Sequence, residues 1–349
     1  MLNFEYLLNN FLLKNEFFLS TISVIILYFI NKHRKYISEK INLIDVPDGV
    51  IKIHKKNTPL LGGIMLFSSF IIINSYLILF EQLTKTSLII FLCCGSCLLL
   101  GLIDDIYKLS YKYKFLFLII IFYVFANLDL NLQIHKLYFS TLKKEFYLNY
   151  LNIPFTILCM LLITNALNLM DGIDGLCVLI SIIFLTWIIY VFQNYENLYI
   201  ILITSLIFIF FLNIKKNIFL GDNGSLFLGS FIGLNIITNY NFQIEKVNFP
   251  LENIFITLML PGLDMFRVFL TRIMNKKNPF TGDRIHLHHL LLDRGFGNLK
   301  ILIIFLLLIL LPILLNFFTN IKPILIILSY VLFYIILILK LNNSNFLKK

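Results

Sequence analysis

Long apolar runs, each about the length needed to cross a bilayer as a helix, occupy most of this chain, and short polar segments separate them. A hydrocarbon core of about 30 Å takes roughly 20 helical residues, and backbone polar groups inside it must be satisfied within the segment itself. Eleven such runs can be drawn, near 16–31, 60–80, 87–104, 114–127, 152–169, 177–192, 197–213, 224–239, 252–272, 299–319 and 322–340. The composition agrees: 59% of residues are hydrophobic and 14% charged, with a mean hydropathy of +0.88. Soluble domains average about 45–50% apolar and about 25% charged. The expectation is therefore an all-α integral membrane protein, a polytopic bundle of about 11 transmembrane helices. It forms one multi-span domain over residues 1–341, followed by a short tail over 342–349. The runs are too long and too continuous for the alternating strands of a membrane barrel.

Lysine and arginine placement orients the bundle. About 20 fall in one alternate set of loops, among them Lys32, Arg34, Lys35 and Lys40, against about 7 in the other set. The basic side is expected in the cytoplasm, with the N-terminus outside and the C-terminus inside. The same asymmetry accounts for the net charge of +10. It suits anionic lipid headgroups, and it excludes a nucleic-acid surface because no soluble basic module exists. The first segment carries Glu5 and lacks a small-residue cleavage pattern, so it reads as a span and not as a removable signal. Of the five cysteines, Cys93, Cys94, Cys97 and Cys159 fall inside spans and Cys177 at a span edge, without the spacing of a zinc-thiolate site.

Polar clusters sit at the ends of several runs, all on the side expected to be cytoplasmic. Ionisable residues at membrane depth are costly and mark sites that handle ions or charged substrates. Asp104 and Asp105 end the third run and are followed by Lys108, Lys112 and Lys114. Paired acids beside basic residues suit a divalent cation together with a phosphate-bearing substrate, or else a neutralised helix end. Asn165, Asn168, Asp171 and Asp174 recur at every third residue, which on a helix would line one slowly turning strip. Gly221-Asp222-Asn223-Gly224-Ser225 opens the eighth run, where Asp222 could cap a helix or the glycines could admit an anion.

Asp264 and Arg267, spaced i,i+3, read as an ion pair inside the bundle. The next polar loop gathers Asp283, Arg284, His286, His288, His289, Asp293 and Arg294. Its histidines could hold zinc. Diphosphate is the alternative, favoured by the bidentate geometry of Arg284. Lys52 and His54, before Pro59-Leu60-Leu61-Gly62-Gly63, are a weaker candidate anion clamp.

Four of these segments occur in a telling order: Gly101-Leu-Ile-Asp104-Asp105, Asn165 through Leu176, Phe219-Leu-Gly-Asp222-Asn-Gly-Ser225, and Asp283-Arg-Ile-His286-Leu-His288-His289. Together they resemble the polyprenyl-phosphate N-acetylhexosamine-1-phosphate transferases, from about Asp45 to Gly295. The resemblance implies a multi-pass enzyme of the bacterial inner membrane with its site on the cytoplasmic face. There a lipid phosphate, undecaprenyl phosphate, attacks the β-phosphorus of a UDP-amino sugar and releases UMP, with Mg²⁺ or Mn²⁺ required.

By the same resemblance Asp222 binds the metal with help from Asn168. Asp104 orients or deprotonates the lipid phosphate, supported by Asp105, and Asp171, Asp174 and His288 belong to the catalytic set. Phe219 stacks on uracil with Asn213 and Asp174 nearby. Lys114, Arg284, His286, His288 and His289 hold the diphosphate and sugar, and Asn165 joins the substrate-binding group. The histidine segment resembles the branch that transfers N-acetylglucosamine 1-phosphate for O-antigen, enterobacterial common antigen or teichoic acid. The peptidoglycan branch, which transfers phospho-N-acetylmuramoyl-pentapeptide, is the alternative, and Lys108 is closer to it. The resemblance is also compatible with a homodimer. A secondary transporter is the rival of another class, but it would place charges near the bilayer midplane with internal repeats. Neither feature is visible in the sequence.

Overall fold

The computed structural model describes residues 2–46, 57–80, 82–192, 199–247, 249–279 and 284–342, without the side chains of 2–15 and 245–247. Thirteen α-helices occur among them: α1 (Leu2–Lys32), α2 (Arg34–Lys40), α3 (Gly62–Leu79), α4 (Lys85–Tyr107), α5 (Tyr111–Leu128), α6 (Asn152–Met170), α7 (Leu176–Phe192), α8 (Tyr199–Ile214), α9 (Gly221–Val247), α10 (Leu251–Met274), α11 (Leu287–Asp293), α12 (Asn298–Phe318) and α13 (Pro323–Asn342). All but the short α2 and α11 coincide with the apolar runs read from the sequence. Seven of them (α3, α4, α5, α6, α10, α12 and α13) are long and apolar enough to cross a membrane by length and composition, while α7 and α8 are apolar but shorter.

Two small antiparallel ladders were not expected from the sequence. One pairs β1 (Ile44–Asp45) with β2 (Thr58–Pro59), and the other pairs β3 (Lys136–Phe139) with β4 (Lys144–Tyr147). They are too short to show a period-2 pattern, and they lie in segments that composition marks only as polar.

α9 is the axis of the bundle, packing against α3, α4, α6 and α7. Every residue from Asn223 to Ile237 is buried, and a helix apolar on all sides belongs in an interior. Phe227 and Phe231 of α9 stack at 6.1 Å and meet Phe70 of α3 edge-on at 5.4 and 5.2 Å. Elsewhere three hydroxyls replace apolar contact. Ser23 of α1 lies 2.8 Å from Ser69 of α3 and 2.9 Å from Ser205 of α8, and Ser205 and Ser69 are 2.9 Å apart. Small hydroxylic residues let helix backbones approach closely while satisfying one another.

Successive long helices reverse direction, so the end of α4, the starts of α5 and α9, and the ends of α6, α8 and α10 gather at one end of the bundle. The β3–β4 hairpin closes the far end of α5. Its turn is held by Glu252 of α10, whose carboxylate accepts from the backbone N–H and hydroxyl of both Ser140 and Thr141 at 2.9–3.1 Å.

Gly101 shows how tightly α4 meets the start of α9. A Cβ there would stand 2.5 Å from the backbone of Asn223, whereas a Cβ on Gly262 of α10 would meet nothing within 4 Å. Gly101→Ala is therefore expected to destabilise the detergent-solubilised protein by about 1–3 kcal/mol, the usual cost of overpacking. Gly262→Ala should be neutral or slightly stabilising. Thermal unfolding of the two variants beside the parent protein checks the contrast.

Candidate active site

A cavity of about 750 Å³ opens at the polar end of the bundle, and all four motif segments contribute to its wall. Its floor is built where α4 ends and α9 begins. Asp105 receives the backbone N–H of Asp222 on one oxygen at 3.0 Å. Its other oxygen receives the N–H and side-chain amide of Asn223 at 3.0 and 2.5 Å. The first N–H groups of a helix have no partner within it, so a carboxylate from another helix caps α9 here and also opposes the positive end of its dipole. Gly221 enters this turn at φ +75°, a conformation open to glycine. Asn223 also donates to the carbonyl of Leu60 at 3.1 Å. Next to it, Phe219 N–H donates to Pro59 at 2.8 Å and Gly62 N–H to Phe219 at 3.1 Å. Backbone pairing thus sets Phe219 on the cavity wall.

Asp222 follows in the first turn of α9. Lys114 of α5 places Nζ 2.7 Å from Oδ2 of Asp222 and 2.8 Å from Oδ2 of Asp104. One ammonium thus bridges carboxylates from two helices, as charges withdrawn from water require. Asn168 of α6 donates to the other oxygen of Asp222 at 2.6 Å and to Ser225 at 2.8 Å. Asp104 Oδ1 accepts from the backbone N–H of Leu109 at 2.7 Å, just past the left-handed Lys108 that ends α4.

The strip expected along Asn165, Asn168, Asp171 and Asp174 is helical only in its first half. α6 stops at Met170, and Gly175 at φ +85° completes a turn into α7. The two glycines of the motif break the helix, so Asp171 and Asp174 stand on a loop at the cavity rim. Burial pushes the Asp171 carboxyl well above the usual carboxylate range, with the charges of Asp222, Asp105 and Asp174 adding to it. Asp174 lies 3.4 Å from Lys216 and accepts from Asn298 at 3.1 Å. Asn213 accepts from Gly175 N–H and donates to the carbonyl of Ile218 at 3.0 Å, which ties the two rim loops together.

The histidine segment forms the opposite wall. His286 Nδ1 lies 2.9 Å from Asp264, which also pairs with Arg267 at 2.8 Å, as the i,i+3 spacing suggested. His288 is fully buried and neither ring nitrogen has a partner among the described residues. The space above Gly172 is filled by its imidazole, where a Cβ would clash. Burial holds the His288 pKa well below its ordinary value, with His289 contributing. His289 is pushed down to about 4 by burial, then by Arg284 and His286. Both rings are thus neutral near pH 7. Arg284 lies 3.6 Å from Asp293.

No group of three or more His, Cys, Asp or Glu side chains among the described residues converges as a metal site, so the zinc alternative for the histidines gains nothing. Mg²⁺ needs less. It takes one or two carboxylates and completes its shell with water and substrate phosphate. The hard oxygens of Asp222, with Asn168 beside it, suit that chemistry.

Asp104, Asp105, Asn168, Asp171, Asp174, Asn213, Phe219, Asp222, Arg284, His286 and His289 line the cavity. Lys114 stands just behind, joined to Asp104 and Asp222, and His288 backs Gly172. Asn165 is directed elsewhere, with its amide 3.7 Å from the sulfur of Met265 on α10. Asp283, Lys52 and His54 lie outside the described residues. The wall also includes Lys108, one of the basic residues that follow Asp105 in the sequence, and Asp45, Lys216 and Asn298, which have no expected role. Lys108 and Lys216 were visible as cations near the motifs. Asp45 and Asn298 carry no local signal.

The sequence profile of glycosyl transferase family 4 matches residues 87–240, which contain the first three motif segments. The chain is 29% identical over 294 residues to a probable undecaprenyl-phosphate N-acetylglucosaminyl 1-phosphate transferase of Bacillus subtilis, covering 82% of this chain and 80% of the relative. It is 26% identical to an undecaprenyl-phosphate alpha-N-acetylglucosaminyl 1-phosphate transferase of Thermotoga maritima (80% and 83% covered) and 25% identical to that of Escherichia coli K12 (79% and 75%). The stretch that matches this family's profile thus supplies three of the four motif segments that meet at the cavity.

Proposed function

We propose that this protein transfers N-acetylglucosamine 1-phosphate from its UDP derivative to undecaprenyl phosphate, yielding the lipid-diphosphate sugar and UMP. The observation that carries this reading is the meeting of Asp104, Asp171 and Asp222, from three different parts of the chain, around one cavity with Lys114 between two of them. Phosphoryl transfer asks mainly for positioning and for neutralisation of charge spread over phosphate oxygens. The names of the relatives supply the donor and acceptor.

In the proposed reaction an oxygen of the lipid phosphate forms a bond to the β-phosphorus. The bond from that phosphorus to the bridging oxygen breaks, and UMP leaves with the electron pair. Asp104 orients the attacking phosphate and takes its proton if it arrives protonated. Asp105 keeps α9, and so Asp222, in place. Asp222 and Asn168 would hold Mg²⁺ (or Mn²⁺), which when bound neutralises phosphate charge. Lys114, Arg284 and His289 face the diphosphate and sugar. Phe219 offers its ring to uracil, with Asp174 and Asn213 shaping that end.

All eleven long helices cross the inner membrane in this reading, with the N-terminus outside and the cavity at the cytoplasmic face. The supporting facts are the reversal of successive helices and the concentration of lysine and arginine in the loops at the cavity end.

Purified protein supplied with undecaprenyl phosphate, Mg²⁺ and UDP-GlcNAc is expected to release UMP, and none after chelation. UDP-MurNAc-pentapeptide and UDP-GalNAc should give none. Release from the pentapeptide alone would move the chain to the peptidoglycan branch. Asp222→Asn is expected to lower turnover by about 10²–10³-fold, the scale of losing one preorganised electrostatic contact, with thermal unfolding unchanged. A cysteine placed at Lys216 should react with a membrane-impermeant maleimide only from the cytoplasmic side, and one at Lys143 only from outside. The reverse pattern would invert the topology.

A further inference from the structure

His286 lines the cavity with only one ring nitrogen engaged. Nδ1 lies against Oδ2 of the fully buried Asp264, while Nε2, on the other edge of the ring, is buried and has no partner among the described residues. Leaving such a nitrogen unsatisfied costs about 1–3 kcal/mol, so a site tolerates it where a ligand or water completes it.

Asp264 is itself locked. Its Oδ1 accepts from Arg267 at 2.8 Å, from the Tyr334 hydroxyl at 2.8 Å and from the backbone N–H of Leu287 at 3.0 Å. A carboxylate already accepting from a guanidinium, a phenol and an amide has no proton to give, so the proton between it and His286 resides on Nδ1. Tyr334 belongs to α13, and its hydroxyl in turn accepts from Nε of Arg267 at 3.0 Å. Arg267 also donates to the carbonyl of Ile285 at 2.6 Å, next to His286. At the far end of the histidine segment Arg294 donates to the carbonyl of Leu341 on α13. The His288 ring lies parallel to that of His286, at 4° and 5.7 Å, and restricts its rotation.

We propose that Asp264 and Tyr334 are positioning residues that fix His286 in the Nδ1–H form, with the lone pair of Nε2 left to accept from a hydroxyl or amide N–H of the donor's amino sugar, and that α13 is thereby part of the catalytic apparatus. The proposal rests on the transferase reading for its substrate but not for its geometry. Partners that orient a functional histidine from behind are commonly worth about 10–100-fold in activity.

The test uses the full-length protein in lipid nanodiscs with ¹⁵N-labelled histidine, the His286 signals being assigned by their loss in His286→Gln. The parent protein is expected to show the Nδ1–H form, and Asp264→Asn a mixture of tautomers. In turnover, Asp264→Asn should lower kcat by about 10–100-fold and Tyr334→Phe by about five- to tenfold, the worth of one ordinary hydrogen bond. The KM for undecaprenyl phosphate should stay unchanged in both. An unaltered tautomer in Asp264→Asn, or parental kcat in both variants, overturns the proposal. If Asp264→Asn does not fold, parental kcat in Tyr334→Phe overturns it alone. Should the parent protein process no UDP-amino sugar, the transferase reading fails while the tautomer comparison still decides the geometry.

Discussion

The capping of α9 by Asp105 is the contact on which the rest of the cavity depends. A helix buried on all sides begins at the polar end of the bundle, and its first N–H groups need an acceptor there. Asp105 supplies it from the end of α4, with Gly101 letting the backbone of α4 close on that of Asp222 and Asn223. Once that junction is fixed, Asp222 can point only toward Asn168 and Lys114. Lys114 in turn holds Asp104. The carboxylates are therefore divided by task. Asp105 is spent on structure, while Asp222 and Asp104 share a cation that keeps two negative charges tolerable at close range.

Around this floor the walls are built from backbone. The Pro59–Phe219 and Phe219–Gly62 bonds extend the small β1–β2 ladder, and Asn213 joins the turn before α7 to the loop before α9. An amide whose oxygen and nitrogen are both committed to main chain shapes a pocket more than it reads a ligand. The other end of the molecule uses the same device with opposite effect. There Glu252 satisfies a hairpin turn and closes the bundle instead of opening it.

The helices were legible because a bilayer leaves few alternatives: apolar runs of the right length must be helical. The cavity lining was legible where polar residues stood beside such runs, as at Asp104, Asn168, Asp222 and His286. The reading erred where spacing alone was used. A three-residue period suggested a helical strip through Asp174, but Gly172 and Gly175 end the helix after Met170. Asn165 shares that period and faces α10 instead. Asp45 and Asn298 come to the wall through tertiary placement, which no local pattern encodes. Tyr334 was hidden for a different reason. A tyrosine in an apolar helix is ordinary, and only the fold shows that its hydroxyl meets Asp264.

The bonds from the histidine segment to α13 bear on how the molecule is made. Chains emerge N-terminus first, and the axis formed by α4, α6 and α9 can settle before α13 leaves the ribosome. The histidine wall cannot, because Tyr334 and the carbonyl of Leu341 arrive after the residues they hold. A partly synthesised chain therefore carries its carboxylate floor early and its histidine wall last. The order of synthesis thus leaves the cavity incomplete until the closing helix has joined the bundle.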